Sequence, residues 1–286
     1  MVVDILSDLH VDAYFKGGIT RDEVKNLYSH IFTDMGTRRV GDVLVVAGDI
    51  GHCNGQNVVV LKFIREVFGY SDIICVLGNH DYFLLDASTR RKYGNKSMHR
   101  VEGLRNIING HEGLHCLDGN IVEIKGVRFG GCDGWYDGEY IKKHFPEKCP
   151  AWDVFRDSYY INELWKHTMP DADYIFGIKW QKHARSEKEK IEKIYKDVDV
   201  MITHINPSIE KEHTSIHYRE AESTGFFTFD GSKYLKNGSM KHWVYGHTHE
   251  ATEHFIDDVH CICNPMGYPS ESRWGKRTFI ASVEIL

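Results

Sequence analysis

The chain has 286 residues with 42% hydrophobic and 12% aromatic side chains, which is enough to bury the core of one large domain. Its net charge of −6 argues against broad, nonspecific binding to nucleic acid. No stretch reaches the apolar length of a membrane span, and residues 1–5 lead into a predicted strand without a basic leader, so we expect neither membrane insertion nor a signal peptide. The seven cysteines include no Cys-x-x-Cys pair, so we expect buried, reduced thiols and a cytoplasmic location.

The first half of the chain alternates apolar runs with amphipathic patterns. Residues 2–6, 43–47 and 73–77 are apolar runs of strand length, and their lack of alternation favours buried strands of a parallel sheet. Residues 20–32 and 58–68 carry apolar side chains at helical spacing, and the first of these segments opens with a capping box. The order strand, helix, strand, helix, strand is typical of βαβ units, in which ligands bind beyond the carboxyl ends of the strands.

Polar side chains follow each of these three strands directly. The first strand leads to Asp8 and His10, whose spacing would place both side chains on the same side of an extended backbone. The second strand leads to Asp49. The third ends in residues 78–81, where glycine, asparagine and aspartate are common turn residues for backbone reasons alone, whereas His80 is not explained in that way.

The later part of the chain has the pattern of antiparallel strands. Residues 121–129 alternate around a glycine turn, which predicts a hairpin. A second hairpin is predicted around residue 257, and a last strand over residues 278–285.

The segment between these hairpins is predicted to form a helical cap or lid over about residues 135–196. It is rich in aromatic and charged side chains, and residues 186–189 read as a capping box at the start of a helix. Trp135 and Tyr136 open the segment, and the sequence leaves two interpretations of them: cover for the core, or the rim of a substrate pocket.

Two further predicted strands end in histidine. His204 follows residues 198–203, and His247 and His249 follow residues 243–245 with the i, i+2 spacing seen after the first strand. A single histidine is usually an ordinary core or surface residue, but five of them at strand ends, interleaved with carboxylates, are harder to ascribe to chance.

Carboxylate and imidazole without thiolate form a ligand set for Mn, Fe, Zn, Ni or Co. The strand-end groups are more numerous than one ion can use. A shared carboxylate such as Asp49 would hold two ions about 3.5–4 Å apart.

The chain resembles the calcineurin-like metallophosphoesterases, whose five-part signature D-x-H, G-D, G-N-H-[DE], H and G-H-x-H it matches in order. The matching segments are Asp8-Leu9-His10, Gly48-Asp49, Gly78-Asn79-His80-Asp81, His204 and Gly246-His247-Thr248-His249. Together the five motifs are highly specific, whereas G-D alone would carry no weight. The resemblance implies an α/β fold with four layers, an αββα sandwich of two facing mixed sheets flanked by helices, in a single domain over residues 1–286.

The resemblance also implies a role for each matched residue. It assigns Asp8, His10 and His249 to one metal ion, Asn79, His204 and His247 to the second, and Asp49 to both. Water between two Mn, Fe or Zn ions would attack phosphorus in line. His80 would contact the phosphate or protonate the leaving oxygen, and Asp81 would orient the His80 ring and raise its basicity. The expected substrate is a small or nucleotide-like phosphomonoester or phosphodiester.

The segment after Asp49 departs from two branches of that family. It lacks both the G-D-x-V-D-R-G sequence of the protein Ser/Thr phosphatases and the tyrosine ligand of the purple acid phosphatases. His52 takes the position of that tyrosine, and we interpret it as a loop residue, with contact to metal or substrate as the alternative. Both of those branches are therefore disfavoured.

Two other functions are weighed against hydrolysis of small esters. A catalytically silent scaffold for a protein partner would usually lack the acid–base histidine, which is present here as His80. A nuclease would need a basic, aromatic-lined groove, for which residues 142–144 are the one candidate that we weigh. Substrate choice should depend on residues 135–196 and on the loop after His204, where His217 and Arg219 are either phosphate contacts or solvated side chains.

Overall fold

A computed structural model describes residues 1–33, 40–149, 154–271 and 280–285. Residues 150–153 of the predicted cap and residues 278–279 of the predicted last strand lie outside this part of the chain. Within it, every helix is too short or too polar to cross a bilayer.

The strands form two sheets. They are β1 (Val2–Leu6), β2 (Val43–Ala47), β3 (Asp72–Val76), β4 (Leu114–Cys116), β5 (Asn120–Ile124), β6 (Val127–Gly131), β7 (Val200–Ile202), β8 (His242–Tyr245), β9 (Thr252–Ile256), β10 (Val259–Cys263) and β11 (Ala281–Glu284). One sheet has the order β11-β1-β2-β3-β4, and the other has the order β5-β6-β7-β8-β10-β9. Strands β1 to β4 are parallel, and so are β6, β7, β8 and β10, whereas β5, β9 and β11 are antiparallel edge strands. Both sheets are therefore mixed, and both predicted hairpins are confirmed.

Helices flank the sheets and fill the connections. They are α1 (Val11–Tyr14), α2 (Arg21–Thr33), α3 (Asn54–Phe68), α4 (Ala87–Lys92), α5 (Ser97–Asn109), α6 (Glu139–His144), α7 (Val154–Thr168), α8 (Asp171–Tyr174), α9 (Trp180–Ile194) and α10 (Ser232–Asn237). Short 3-10 helices cover Asn79–Tyr82, Lys211–His213 and Glu222–Phe226.

Strand β2 shows why the sequence pattern predicts cover on both faces. All five of its residues are fully buried. Val43 and Val45 face a core formed with residues of the other sheet, such as Phe129 of β6, whereas Leu44 and Val46 join the core under the flanking helices. The two faces of one strand thus enter two separate cores, which is the arrangement of the predicted αββα sandwich.

Helix α9 begins earlier than the sequence analysis expects. The capping box predicted at residues 186–189 is wrong, because Ser186 lies inside α9 and the helix starts at Trp180. The buried residues of α9 lie along one face of the helix, and this face packs on β5 and β6. They are Trp180, Ala184, Glu187, Ile191 and Ile194. The burial of this apolar face therefore determines where α9 begins, and the capping preference of Ser186 does not.

Six of the seven cysteines are buried, as expected, and Cys53 is exposed. The parallel strands bring their carboxyl ends to neighbouring loops. The loops after β1, β2, β3, β7 and β8 carry the polar residues that the sequence singled out.

Candidate metal centre

The strand-end loops converge on one cluster of carboxylates and imidazoles. Two groups of residues can each offer ligand atoms to a metal ion, and within each group these atoms all lie within 4.8 Å of one another. The first group is Asp8, His10, Asp49 and His249, and the second is Asp49, His204 and His247. Asp49 belongs to both groups, which is the position expected of a carboxylate that bridges two ions. The structure thus brings the predicted residues together, while their roles as metal ligands stay a prediction.

The backbone of these loops differs from the extended chain that the spacing predicted. Five candidate ligands have a left-handed φ: 53° at Asp8, 40° at His10, 52° at Asp49, 70° at His247 and 50° at His249. Hydrogen bonds between loops impose this conformation, because the His10 amide donates to the Asp49 carbonyl at 3.0 Å and the His247 amide donates to both Asp8 carboxylate oxygens at 3.1 Å. Such backbone strain costs on the order of 1–3 kcal/mol per residue and is typical of functional sites.

The glycines of the motifs have a steric role at the same place. A methyl group added to Gly78 would overlap the Asp49 carboxylate, and one added to Gly48 would overlap the His204 ring. Gly48 also has a positive φ of 86°. These two glycines therefore allow the backbone to pass directly behind the candidate ligands.

Hydrogen bonds set which ring nitrogen of each histidine faces the second group. His204 donates through Nδ1 to the carbonyl of Ala47 at 2.8 Å, which directs its Nε2 towards Asp49, 3.4 Å away. His247 donates through Nε2 to the carbonyl of Phe226 at 3.1 Å, which leaves its Nδ1 free. A carbonyl behind one nitrogen of an imidazole is the usual support of a metal-ligating histidine.

His249 is oriented in the same way by a carboxylate. Its Nδ1 donates to both oxygens of Glu271, at 2.9 and 3.0 Å, and its Nε2 lies 3.5 Å from Asp8 and 3.0 Å from His10 Nε2. Glu271 was not foreseen from the sequence, where no motif includes it.

The donor set fits a cation. The Nε2 of His249 faces a second imidazole nitrogen, on His10, and two buried carboxylates, Asp8 and Asp49, lie beside them. Within the described residues, the buried Nδ1 of His10 has no hydrogen-bond partner. Imidazole nitrogens and carboxylate oxygens at this spacing match the first coordination shell of a transition-metal ion.

The charges of the second group reinforce this fit. Burial would raise the pKa of Asp49, but His204 and His80 hold it well below its usual range. Burial likewise opposes a charge on His204, yet the Asp49 carboxylate raises the His204 pKa to about 9. His247 has a pKa of about 3 because burial disfavours its cation, so it offers a neutral ring to a metal.

Asp81 does not contact the His80 ring, so that expectation is wrong. The Asp81 carboxylate instead accepts four hydrogen bonds, from the amides of Gly78, Ile50 and Gly51 at 2.9–3.2 Å and from Asn57 Nδ2 at 3.1 Å. Asp81 is the third residue of the short helix Asn79–Tyr82, and its side chain folds back onto the amide that precedes that helix. It joins the loops after β2 and β3 and has no contact with the reacting side of His80.

His80 is held by a different pair of residues. Its Nδ1 lies 2.9 Å from His52 Nε2, and His52 Nδ1 lies 2.6 Å from the Asp12 carboxylate. His52 lies in the loop between β2 and α3, as expected, and its ring also contacts His80. The sequence carries a signal for this pair, because Asp12 follows His10 by two residues and His52 follows Asp49 by three.

Asn79 is oriented by a residue from the predicted cap. Its Nδ2 donates to Asp171 at 2.8 Å, which turns its Oδ1 to within 3.2 Å of His204 Nε2. Asp171 is fully buried at the start of α8 and also accepts a hydrogen bond from the Tyr136 hydroxyl at 2.7 Å. No pattern in the sequence marks Asp171.

The remaining candidates lie away from the cluster. Trp135 and Tyr136 are 2% and 0% exposed, so they cover the core and do not form a pocket rim. His217 is exposed and its ring lies against Tyr218, while Arg219 donates to the carbonyl of Thr214 at 3.4 Å. The contacts of His217 and Arg219 are thus with neighbouring residues of the same loop and not with the candidate metal ligands.

The fold and the cluster define a four-layer αββα protein, with two mixed sheets between helices and a candidate dinuclear metal centre. Residues 1–251 match the model of the family described as calcineurin-like phosphoesterase. The chain therefore belongs to the calcineurin-like phosphoesterase family, a family that depends on two metal ions and acts on small phosphate esters. The resemblance drawn from the sequence motifs and the αββα fold are both confirmed.

Two similar proteins illustrate the range of this relationship. The chain is 24% identical over 242 residues to the uncharacterized protein L509 of Acanthamoeba polyphaga mimivirus, with 80% of this chain and 79% of that protein covered. Among solved structures it is similar to the phosphopantetheinyl hydrolase PptH of Mycobacterium tuberculosis, with a TM-score of 0.62, 16% identity, and 99% of this chain and 95% of that one covered. At that identity the likeness to PptH shows the fold alone.

Proposed function

We propose that this protein hydrolyses small phosphate esters with two bound metal ions, for which manganese, iron or zinc suit the ligand set. Asp8, His10 and His249 would hold one ion, and Asn79, His204 and His247 the other, with Asp49 shared. The observation that carries the proposal is the membership of Asp49 in both groups of ligand atoms. Two ions on one carboxylate supply a nucleophile at neutral pH and stabilise charge on the phosphate group.

We assign His80 to the leaving group. Its ring lies edge-on to His10, with 4.8 Å between the ring centres, so it borders the first group of ligands. Burial lowers the pKa of His80 to about 4, which keeps its ring neutral at pH 7 in the free protein. A phosphate anion bound beside His80 would raise that pKa, since a negative charge favours the imidazolium that donates a proton to the leaving oxygen.

A small ester suits this protein better than a nucleic acid. The basic run at residues 142–144 is already engaged: Lys142 pairs with Glu139 at 2.7 Å, and Lys143 pairs with Glu210. Both lysines therefore have carboxylate partners on the protein, which weakens any attraction to a phosphate backbone.

The test is hydrolysis of bis-p-nitrophenyl phosphate and of p-nitrophenyl phosphate with added Mn²⁺, beside the metal content of the same sample. We expect close to two ions per chain and turnover of at least one substrate, with the diester-to-monoester ratio defining the substrate class. The Asp49→Asn variant should lose both metal and activity. Protein that binds two ions and hydrolyses neither ester across several metals would favour the scaffold hypothesis, and protein that binds none would overturn the proposal.

A further inference from the structure

We propose that a basic surface beside His80 binds a second phosphate group on the leaving group of the substrate, so that the preferred ester carries two phosphates. This inference rests on the proposed function and names the substrate class of that same site. We call the surface the basic patch, and it is formed by residues 86–97 and 173–185. Its cations are Arg90, Arg91, Lys92, Lys96, Lys179, Lys182 and Arg185.

The two segments of the basic patch are positively charged in an acidic protein. The first segment has four lysine and arginine residues and one acidic residue, Asp86, and the second has three and one acidic residue, Asp173. The chain as a whole has a net charge of −6, so the positive charge of the patch is a local departure. A concentrated positive field on such a protein attracts an anionic group to that one place.

The cations of the basic patch have no carboxylate partner at ion-pair distance. Within the described residues all seven lie outside ion pairs, and six of the seven are exposed. Lysines elsewhere are neutralised, such as Lys142, which pairs with Glu139 at 2.7 Å. Asp86 is used to cap α4, because its carboxylate accepts from the Thr89 amide at 2.8 Å. The charge of the patch is therefore available to a ligand.

Contacts between the two segments bring their cations together near Phe176. The Ser97 amide donates to the Phe176 carbonyl at 3.0 Å, and the Phe176 amide donates to the Ser97 hydroxyl at 2.9 Å. The Arg90 guanidinium lies 5.2 Å from the centre of the Phe176 ring, and its buried Nε has no hydrogen-bond partner among the described residues. Lys96 precedes Ser97 in the chain, and Lys179 follows Phe176 by three residues. Cations of both segments thus lie close to one ring.

The basic patch begins on the His80 side of the metal centre. The centre of the Phe83 ring lies 4.4 Å from that of His80 and 5.4 Å from that of Tyr174. The Leu84 amide donates to the Tyr174 carbonyl at 2.8 Å, which joins the two segments at this end as well. Tyr174 is exposed and lies two residues before Phe176. Because His80 is assigned to the leaving group, an anion held on this side belongs to the leaving group.

The shape of the basic patch favours one compact anion over a polymer. Nucleic acids bind along a groove whose cations follow many successive phosphates. The cations here come from one short helix, α4, from the loop after it and from the start of α9. Arginine and lysine side chains form strong, charge-assisted hydrogen bonds to phosphate oxygens. A single phosphate group, carried by a leaving group long enough to reach it, fits this arrangement.

A series of alkanediol bisphosphates tests both the charge and the reach of the basic patch. Phosphate release from the bisphosphates of propanediol, hexanediol and nonanediol is compared with release from alkyl monophosphates of the same lengths. At the best length, kcat/KM should be on the order of 10-fold higher for the bisphosphate, beyond the factor that its two equal ends contribute. The advantage should vanish in about 1 M salt, where the Debye length is about 3 Å. If the protein cleaves only diesters, each phosphate of the series carries a methyl group.

Lys96→Gln combined with Lys179→Gln removes one cation from each segment of the patch. This variant should lose most of the advantage of the bisphosphate, and the loss should be confined to bisphosphates. The matched control is Lys193→Gln combined with Lys236→Gln, which removes the same charge from exposed lysines in the last turns of α9 and α10. The control should leave the advantage unchanged. An equal loss in both variants would show an effect of net charge alone and would overturn the inference.

Other outcomes separate this inference from the proposed function. Equal kcat/KM for bisphosphates and monophosphates at every length would overturn the inference while ester hydrolysis stands. Stronger inhibition by oligothymidylate than by the preferred bisphosphate would overturn it in favour of a nucleic acid.

If the protein hydrolyses no ester, the proposed function fails, and binding alone decides the inference. The measurement is then calorimetric titration of metal-free protein with hexanediol bisphosphate. Binding that Lys96→Gln with Lys179→Gln loses and that the control retains would support the basic patch as a phosphate site. No binding, or equal binding in the two variants, would refute it.

Discussion

In the part of the chain that the structure describes, two clusters of carboxylates have the spacing of a metal site, and they differ in where their positive charge comes from. We call the first the imidazole cluster: Asp8, His10, Asp49, His204, His247 and His249. The second, the ion-pair cluster, contains Asp118, Asp133 and Glu187 together with Arg105 and Lys190.

The ion-pair cluster contains its own cations. Lys190 lies 2.5 Å from Asp118 and 2.6 Å from Glu187, and Arg105 lies 3.3 Å from Asp118 and bonds to Asp133. These fixed charges occupy the space between the carboxylates, so no ion is needed to compensate them. In the imidazole cluster the carboxylates face rings that bind a metal only when neutral, so a bound cation would replace the proton that Asp49 helps His204 to hold in the free protein.

The backbones of the two clusters differ in the same sense. Members of the imidazole cluster lie in strand-end loops, five of them with left-handed φ. The cations of the ion-pair cluster lie on regular helices, Arg105 on α5 and Lys190 on α9. Left-handed backbone is thus found in the imidazole cluster, where ligand atoms must converge, and at none of the five members of the ion-pair cluster. Spacing alone does not identify a metal site; the source of charge and the backbone do.

The largest effect should come from Asp49→Asn, which removes the shared carboxylate. Bound metal should fall below one ion per chain, and kcat should drop on the order of 1000-fold or more, since even residues behind the ligands are worth 10–100-fold. Glu187→Gln in the ion-pair cluster is the control and should leave the metal content unchanged. Metal content is measured by mass spectrometry. Equal loss of metal from Asp49→Asn and Glu187→Gln would contradict the distinction between the two clusters.

The next effect concerns the ion-pair cluster and appears in stability. Arg105→Met leaves Asp133 fully buried without its guanidinium, and the free energy of unfolding should fall by about 3–5 kcal/mol. Arg128→Met breaks the half-exposed pair with Asp199 and should cost about 0–1 kcal/mol. Urea unfolding monitors both. A loss of bound metal from folded Arg105→Met protein would contradict the separation of the clusters.

The sequence is a good guide to the positions of the imidazole cluster and a poor guide to its supports. Asp8 and His247 lie after runs that predict buried strands, and parallel strand ends bring them together. The i, i+2 spacing is compatible with both extended and left-handed chain, and only the hydrogen bonds between loops decide it. Asp81 shows the same limit: its carboxylate accepts from the nearby Gly78 amide and from amides of the loop after β2, and the motif does not reveal the latter partners.

Contacts across long separations were beyond the sequence for another reason. Asp171 orients Asn79 from 92 residues away, in a region whose helices follow from aromatic and charged composition without any motif. Glu271 lies 22 residues beyond His249 in a loop without regular structure. Contacts at these sequence separations produce no periodic pattern in the sequence, so Asp171 and Glu271 can be identified only from the folded structure.

A smaller effect should follow when the support of Asn79 is removed. Asp171→Ala deprives Asn79 Nδ2 of its acceptor, so the amide can turn its Oδ1 away from His204. Affinity for the second metal ion should weaken about 10–100-fold, while that for the first ion is retained. Asp173→Asn, on the exposed side of the same helix α8, is the matched control. Calorimetric titration of metal-free protein would refute the role of Asp171 if both variants bind two ions alike.

The smallest effect is a pH dependence beside the ion-pair cluster. His183 is packed between Trp135 and Tyr82, with ring centres 4.6 and 5.4 Å away, and burial lowers its pKa to about 4. A histidine that is harder to protonate in the folded state contributes stability above pH 6.5, and this contribution is lost as the pH falls towards 4.

Between pH 7 and 5 this loss should amount to about 1–2 kcal/mol of unfolding free energy. His183→Gln should flatten the pH dependence by that amount, whereas His99→Gln at an exposed position should leave it unchanged. Urea unfolding at both pH values gives the difference directly. An equally steep loss of unfolding free energy at low pH in His183→Gln would show that carboxylates of the ion-pair cluster, and not this imidazole, cause the pH dependence.

His204 shows the opposite shift. Burial would lower the pKa of His204, but the carboxylate of Asp49 raises it to about 9. Burial disfavours the charged form of both histidines, yet their pKa values shift in opposite directions, and the nearest uncompensated carboxylate decides between them.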